Sequence, residues 1–205
     1  MSQPLHDSLY TLRDAVRAYA ETQAPDILSF CGDPLFADHA VADHEPKLHP
    51  ATDLIRQLTD HDCPMTAPLL SAVIAAIPHL HWKQSYTLDD PGFDQYYLDN
   101  YCWFNLIAPS GPFISHDLRV SCGYWGKGLH YPNHWHKPEE IYLTVAGSAR
   151  YISEGRADII GGPGATICHY SNQPHSAEMK DGPLLAMAFW RGEQLEAKSG
   201  LNRGD

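Results

Sequence analysis

The sequence predicts a mostly β protein, in which one small antiparallel barrel follows a helical N-terminal region. In residues 81–193, short apolar runs follow one another, each bounded by Gly, Pro, Asp or Ser, with no helical pattern between them. Residues 1–80 instead carry the three- and four-residue apolar spacing of amphipathic helices. Residues 194–205 are mostly polar, and a frayed C-terminal tail is expected there.

Three helices are predicted in the N-terminal region. The first spans 4–23, where Leu5, Leu9, Leu12, Val16 and Tyr19 form one apolar stripe. A short helix is predicted at 52–58, and another at 67–77, a stretch rich in Ala, Leu and Ile. The stretch 31–50, dotted with His, Asp and Pro, is predicted to be a loop.

The barrel strands are predicted from runs of β-branched, aromatic and aliphatic residues. Because the runs are short and separated by turn residues, they indicate an antiparallel barrel or sandwich. The predicted strands are 96–107, 118–124, 140–145, 149–152, 157–160, 165–168 and 184–190.

Composition narrows the class of partner. The net charge is −11 with only 14 Lys and Arg, and no basic run is present, which argues against nucleic acid and anionic membranes. No apolar run approaches the ~20 residues of a membrane span, and a cytoplasmic protein with a small-molecule partner is expected. The five cysteines include no C-x-x-C pair, so reduced thiols are predicted rather than disulfides or a thiolate zinc site.

One segment carries the residues of a metal site. His134, His136, Glu140 and Tyr142 share parity, so an extended chain would direct all four side chains to one face. Two imidazoles and a carboxylate suit a divalent transition metal.

This segment resembles the cupin family. The first cupin motif, Gly-x5-His-x-His-x3-Glu-x6-Gly, is complete at Gly128, His134, His136, Glu140 and Gly147. The second motif, Gly-x5-Pro-x-Gly-x2-His-x3-Asn, is matched less fully by Gly164, Tyr170, Asn172, His175 and Met179. Asn172 is a mild departure, because Asn adopts the left-handed backbone that Gly would supply. The resemblance implies a single jelly-roll barrel, or double-stranded β-helix, with one metal ion held by His134, His136, Glu140 and His175.

Further residues flank these ligands. Tyr131 and Tyr142 lie beside them in sequence, and Trp190 ends the last apolar run. An aromatic residue in a barrel belongs to the core more often than to a site, although Tyr142 shares the ligand face. For His130 and His169 the pattern does not decide between a site and a structural role.

The pattern Tyr131-Pro-x-His134-x-His136-x-x-Glu-Glu140-Ile-Tyr142, together with His175, Trp190 and the helical extension, resembles the cupin lyases that cleave dimethylsulfoniopropionate (DMSP). Among them it is most similar to the short DddQ type. The resemblance implies a carbon–sulfur lyase that forms dimethyl sulfide and acrylate by tyrosinate-initiated β-elimination. Its cofactor would be one divalent ion: Zn, Fe(II), Mn, Co or Ni.

The resemblance also assigns roles. Tyr131 and Tyr142 are the candidate bases, and Tyr131 is favoured because Tyr142 is placed to bind the metal or the substrate carboxylate instead. Substrate-binding residues would be Trp190, Tyr131, His134 and Trp125, with the aromatic rings facing the sulfonium.

Two other functions stay open. One is a different cupin enzyme, such as a non-haem iron dioxygenase or an isomerase acting on a small carboxylate. The other is a non-catalytic cupin that binds a small ligand through its metal. The sequence leaves the native metal open, and either a monomer or a homodimer is compatible with it.

Overall fold

The computed structural model describes residues 5–58 and 63–201. No helix in these two ranges has the length and apolar character required to cross a bilayer. The helices are α1 (Asp7–Thr22), α2 (Pro25–Cys31), α3 (Thr52–Ile55), α4 (Ala67–Ala76) and α5 (Gln95–Asp99), with 3₁₀ turns at Asp33–Leu35 and Ile77–His79.

The strands follow in order, and most lie in the second half of the chain. They are β1 (Ala40–Val41), β2 (Tyr101–Ala108), β3 (Phe113–Ile114), β4 (Leu118–Trp125), β5 (His130–Trp135), β6 (Glu139–Gly147), β7 (Ala149–Ser153), β8 (Ile159–Gly161), β9 (Thr166–His169), β10 (His175–Glu178), β11 (Leu184–Arg191) and β12 (Gly200–Leu201).

These strands form two sheets that enclose a barrel interior. The larger sheet has the order β1-β3-β2-β4-β11-β6-β9, and the smaller has the order β12-β5-β10-β7-β8. One aromatic-rich core cluster contains residues from both sheets, such as Tyr131 and Tyr142, and fills the interior. The predicted mostly β cupin barrel with a helical N-terminus is confirmed.

Alternate residues on the strands of the larger sheet pack into two different hydrophobic cores, one on each face of the sheet. On β11, Leu185, Met187 and Phe189 pack in the core shared with the helices, whereas Ala186 and Ala188 face the interior. Such a strand is buried on both faces, so it shows a continuous apolar run rather than an alternating one.

The helices cover the outer face of this sheet. The predicted stripe of α1 is buried, with Leu9, Leu12 and Val16 at most 1% exposed. The helix begins where the His6 side chain accepts a hydrogen bond from the Ser8 amide. The described part of the chain therefore confirms the first predicted helix, although Pro4 lies outside it. The boundary at residue 80 stays a prediction, because one core cluster contains residues from both sides of it.

Other predicted elements are corrected. The strand predicted from residue 96 is preceded by α5, because the Asp94 carboxylate accepts from the Tyr97 amide and begins a helical turn. The sequence prediction missed α2, which starts at Pro25, and the predicted loop 31–50 contains a 3₁₀ turn and β1. The short helix predicted at 52–58 ends at Ile55.

The predicted frayed tail is wrong for residues 195–201. Leu195 is 5% exposed in the barrel interior, and its carbonyl accepts a hydrogen bond from Arg119. β12 then pairs with β5, with Leu201 opposite His134. The prediction for 202–205 lies outside the described residues.

Two glycines of the first cupin motif differ in what surrounds them. Gly128 and Gly147 both have positive φ, 80° and 72°. A Cβ on Gly147 would lie 1.8 Å from the Pro183 carbonyl oxygen, whereas a Cβ on Gly128 would meet nothing within 4 Å. Glycine at 147 thus allows two backbone segments to approach closely, whereas glycine at 128 is favoured only by the positive φ angle of its turn.

We predict that Gly147→Ala lowers the free energy of unfolding by about 3 kcal/mol or more, since backbone must move as well as φ. Gly128→Ala, the matched control, should cost only about 1–2 kcal/mol from its φ angle. Urea unfolding of both variants measures the difference. Equal losses would show that the Pro183 contact is unimportant.

Candidate metal centre and active site

The four predicted ligands come from three strands and one turn. His134 lies on β5, Glu140 on β6 and His175 on β10, where His175 is directly opposite His134. The chain is not extended between them, because β5 ends at Trp135 and His136 lies in the turn before β6. The condition of an extended chain from His134 to Tyr142 is therefore not met, yet the turn and the β5–β10 pairing bring the side chains together.

The three histidines are oriented in the same way. Each Nδ1 lies within hydrogen-bond distance of a backbone carbonyl two residues away: Pro132 for His134 (2.9 Å), Pro138 for His136 (2.9 Å) and Gln173 for His175 (2.8 Å). A carbonyl only accepts, so each Nδ1 carries the proton and each Nε2 presents a lone pair. The ligand nitrogens of these histidines lie within 4.8 Å of one another.

The Glu140 carboxylate completes the group. Its Oε2 lies 3.3 Å from Nε2 of His136 and 3.3 Å from Nε2 of His175. His175 Nε2 is buried and has no hydrogen-bond partner among the described residues. An acceptor nitrogen facing a carboxylate oxygen without a proton between them leaves both lone pairs unsatisfied.

A divalent cation fits this arrangement. Two ligand atoms that each lie about 2.1 Å from one ion are about 3.0–3.4 Å apart in octahedral or tetrahedral geometry. The 3.3 Å separations match that range. The cluster His134, His136, Glu140 and His175 is therefore compatible with a metal site, as the cofactor prediction requires.

Two further residues hold the Glu140 carboxylate. Trp190 Nε1 donates to Oε1, and His169 Nδ1 lies 2.9 Å from Oε2. In register, Trp190 on β11 and His169 on β9 are opposite Glu140 from its two sides. Both carboxylate oxygens are thus fixed by side chains of neighbouring strands, the arrangement of an outer shell around a metal ligand.

The role of His169 was undecided from the sequence. It is 2% exposed, stacks on His175 with ring centroids 3.8 Å apart, and leaves its Nε2 unpartnered within the described structure. Burial lowers the pKa of His169 to about 4, so the ring is neutral near pH 7. Only the register between β6 and β9, which a sequence does not display, places it beside Glu140. His130 is exposed on β5 and does not join the cluster.

A cavity of about 250 Å³ adjoins the cluster. Every second residue of β4 contributes to its wall, as do Tyr131, Tyr142 and Trp190 around Glu140. The segment after β11 closes one side, so residues predicted to be a frayed tail line the cavity instead. The remaining lining residues are Lys83, Ser85, Tyr101, Trp103, Arg119, Ser121, Gly123, Trp125, Ala188, Glu196, Ala197, Lys198 and Ser199.

The two predicted bases lie at the cavity in different settings. Tyr131 Oη is 3.0 Å from Tyr86 Oη, and its ring stacks on His134 at 4.0 Å. The Tyr142 hydroxyl makes no described hydrogen bond, and its ring contacts those of His169 and His175 edge-on. His134, predicted to bind substrate, therefore lies behind Tyr131.

The aromatic residues predicted to bind substrate lie at the cavity, with one difference between them. Trp125 lines the cavity and lies 5.5 Å from the Tyr131 ring. The Trp190 ring is already in contact with the His136 ring at 4.2 Å and with the Arg119 guanidinium at 4.3 Å. Its faces are therefore less available to a sulfonium than that of Trp125.

Burial controls the ionisation of the site. It raises the pKa of Tyr131 and Tyr142 well above the ordinary value, with further contributions from Tyr86 and from Glu140 respectively. It lowers the pKa of His134 well below its ordinary value. Burial also opposes ionisation of Glu140, but its histidine neighbours, His136 above all, outweigh that effect and keep the pKa of Glu140 well below the usual range.

Known proteins resemble this chain in sequence and in fold. The dimethylsulfoniopropionate lyase family model matches residues 34–186. The DMSP lyase DddQ of Ruegeria pomeroyi DSS-3 is 36% identical over 127 residues, which span 62% of each protein. The crystal structure of that DddQ superposes with a TM-score of 0.86 at 28% identity, covering 97% of this chain and 99% of the other.

A second structure agrees. A chain from the crystal structures of the DMSP lyases RdDddP and RnDddQII superposes with a TM-score of 0.89 at 34% identity, covering 96% of this chain and 98% of that one. The family match spans well over half of the sequence and includes the predicted ligands His134, His136, Glu140 and His175. The chain belongs to the dimethylsulfoniopropionate lyase family.

Proposed function

We propose that the protein is a metal-dependent carbon–sulfur lyase that cleaves DMSP to dimethyl sulfide and acrylate. The observation that carries the proposal is the cluster of three inward-facing imidazoles and Glu140, which adjoins a cavity lined by the buried Tyr131 and Tyr142. Membership of the DMSP lyase family gives the substrate class.

The metal ligands are His134, His136, Glu140 and His175. A bound divalent ion would supply positive charge that favours tyrosinate nearby and stabilises the negative charge that develops as the α-proton leaves. Three imidazoles and a carboxylate suit Zn, Fe(II), Mn, Co or Ni. Trp190 and His169 keep the carboxylate of Glu140 in place through their N–H groups.

A tyrosinate at the cavity removes the α-proton of the substrate. The electron pair of that C–H bond forms the Cα=Cβ double bond, the Cβ–S bond breaks, and sulfur leaves with its pair as dimethyl sulfide. Tyr142 and Tyr131 are the candidates. The unengaged hydroxyl of Tyr142 favours Tyr142, whereas the Tyr131 hydroxyl already shares a hydrogen bond with Tyr86.

The sulfonium end of the substrate binds among aromatic rings. Tyr101, Trp125, Tyr131 and Tyr142 line the cavity together, and ring faces attract a cation. Trp190 acts mainly through Glu140, because His136 and Arg119 already contact its ring.

The proposal also covers the cellular compartment and the oligomeric state. Cys31, Cys102, Cys122 and Cys168 are reduced thiols, which fits the reducing cytoplasm. The cavity and the ligand cluster are built from one chain, so a monomer or a homodimer would serve equally well.

The lyase function is tested with metal-loaded protein and DMSP, following headspace dimethyl sulfide and acrylate together. Equimolar products are expected. His136→Ala should lose the ion and at least about a hundredfold in activity, whereas the exposed His130→Ala serves as a matched control that retains both. A folded, metal-loaded protein that forms no product would refute the function while leaving the metal site.

The identity of the base is tested by removing single hydroxyl groups. Tyr142→Phe should lower kcat by about 10²–10⁴-fold, because it removes the proton acceptor but keeps the ring. Tyr86→Phe removes the hydrogen bond to Tyr131, and it should leave kcat within about threefold if Tyr142 is the base. A large loss in Tyr86→Phe and Tyr131→Phe with an active Tyr142→Phe would assign Tyr131 instead.

His169 is tested through metal affinity. His169→Phe fills the volume but removes the donor to Glu140, so the Kd for Zn²⁺ should rise by about 10–100-fold. His169→Asn, which retains an N–H donor, should recover part of the affinity. Competition with a fluorescent chelator measures both values, and unchanged affinity in His169→Phe would mean that Trp190 alone orients the carboxylate.

A further inference from the structure

Arg119 is a buried cation in the wall of the proposed active site. It lies on β4, opposite Trp190, which in turn lies opposite Glu140 on β6. The Cα atoms of Arg119 and Glu140 are therefore about 10 Å apart, two strand spacings. Arg119 is 8% exposed and lines the same cavity as Tyr142 and Glu140.

Neutral groups hold the guanidinium in position. Nε donates to Asn105 Oδ1 at 3.0 Å, and Nη1 donates to the Leu195 carbonyl at 2.9 Å. The guanidinium carbon lies 4.7 Å from the Trp103 ring centroid and 4.3 Å from that of Trp190. These contacts fix the plane of the guanidinium without neutralising its charge.

No carboxylate in the described residues pairs with Arg119 within 4.0 Å, and Nη2 makes no described hydrogen bond. The acidic groups that favour its charge from farther away are Glu196 and Glu140. Glu196 also lines the cavity, but it does not contact the guanidinium directly. Its Oε1 accepts hydrogen bonds from Ser110 and from the side-chain amide of Asn105, the residue that holds Arg119. A guanidinium stays protonated in proteins, and a buried charge is normally paired.

We infer that Arg119 anchors the carboxylate of the substrate and of acrylate, and so makes the cavity specific for carboxylates. The identification of the substrate rests on the proposed function. A fixed guanidinium with one free edge suits a planar carboxylate, to which it donates charge-assisted hydrogen bonds.

This anchor has consequences for orientation and for catalysis. Arg119 and Lys83, which both lie over the Trp103 ring, repel the sulfonium, which is then directed toward the tyrosine end of the cavity. The cation at that end, Lys198 over the Tyr86 ring, is paired with Asp90. As the α-proton leaves, negative charge spreads onto the carboxylate oxygens, and a preorganised guanidinium stabilises that charge. Arg119 would thus contribute to both KM and kcat.

A purely structural role is the rival explanation, because Arg119 also fastens the segment at Leu195. Equilibrium binding to the Zn²⁺-loaded protein separates the two roles, with sodium acrylate and trimethylsulfonium as probes that carry one charged end each. Arg119→Met should weaken acrylate binding about tenfold or more, should not weaken trimethylsulfonium binding, and should leave Zn²⁺ affinity within about twofold. Arg119→Lys, which keeps the charge, should recover part of the acrylate affinity.

Arg13→Met is the matched control, because Arg13 also stacks on two rings, Tyr10 and Phe113, but lies outside the cavity. It should bind acrylate normally. Equal acrylate affinity in Arg119→Met and the wild type would overturn the anchor, and so would a parallel loss of both probes.

If Arg119→Met does not fold, acrylate is titrated into metal-stripped wild-type protein. Saturable binding then supports the anchor, and its absence overturns it. These binding measurements do not depend on turnover, so a failure of lyase activity and a failure of the anchor are distinguishable.

Discussion

The carboxylate of Glu140 is the group on which the rest of the site depends. It is 1% exposed, and a buried carboxylate is tolerated only when its oxygens are fully compensated. Trp190 and His169 supply fixed N–H donors from the strands on either side, and His136 and His175 face it with ring nitrogens. Positions on β11, β9 and β10 are thereby tied to one residue of β6.

The barrel can hold this arrangement because its larger sheet is supported from outside. The helices α1 and α4 pack on one another and on the sheet, so the apolar residues that point outward are buried as well as those that point inward. With stability supplied on the outer face, the inner face is free to carry polar and small residues. Arg119, Ser121 and Gly123 of β4 all line the cavity and contribute little apolar packing of their own.

Sequence patterns predicted the fold class and the helical stripe because both depend on local periodicity. They missed β5 and β10, whose strand residues include Pro132, Asn133 and His175, and which are extended through pairing with each other. The second cupin motif was readable despite its departures, and Asn172 adopts a φ of 58° as expected. Trp190 and His169 reach Glu140 only through strand register, which lies beyond local pattern.

Alternate residues along the eight positions of β11 are under two different structural constraints. The side chains of Leu185, Met187 and Phe189 pack in the core shared with the helices, whereas Ala186 and Ala188 face the barrel interior. Substitutions at the inward-facing positions can therefore enlarge or narrow the cavity during evolution, while the outward-facing residues between them preserve the packing on which folding depends.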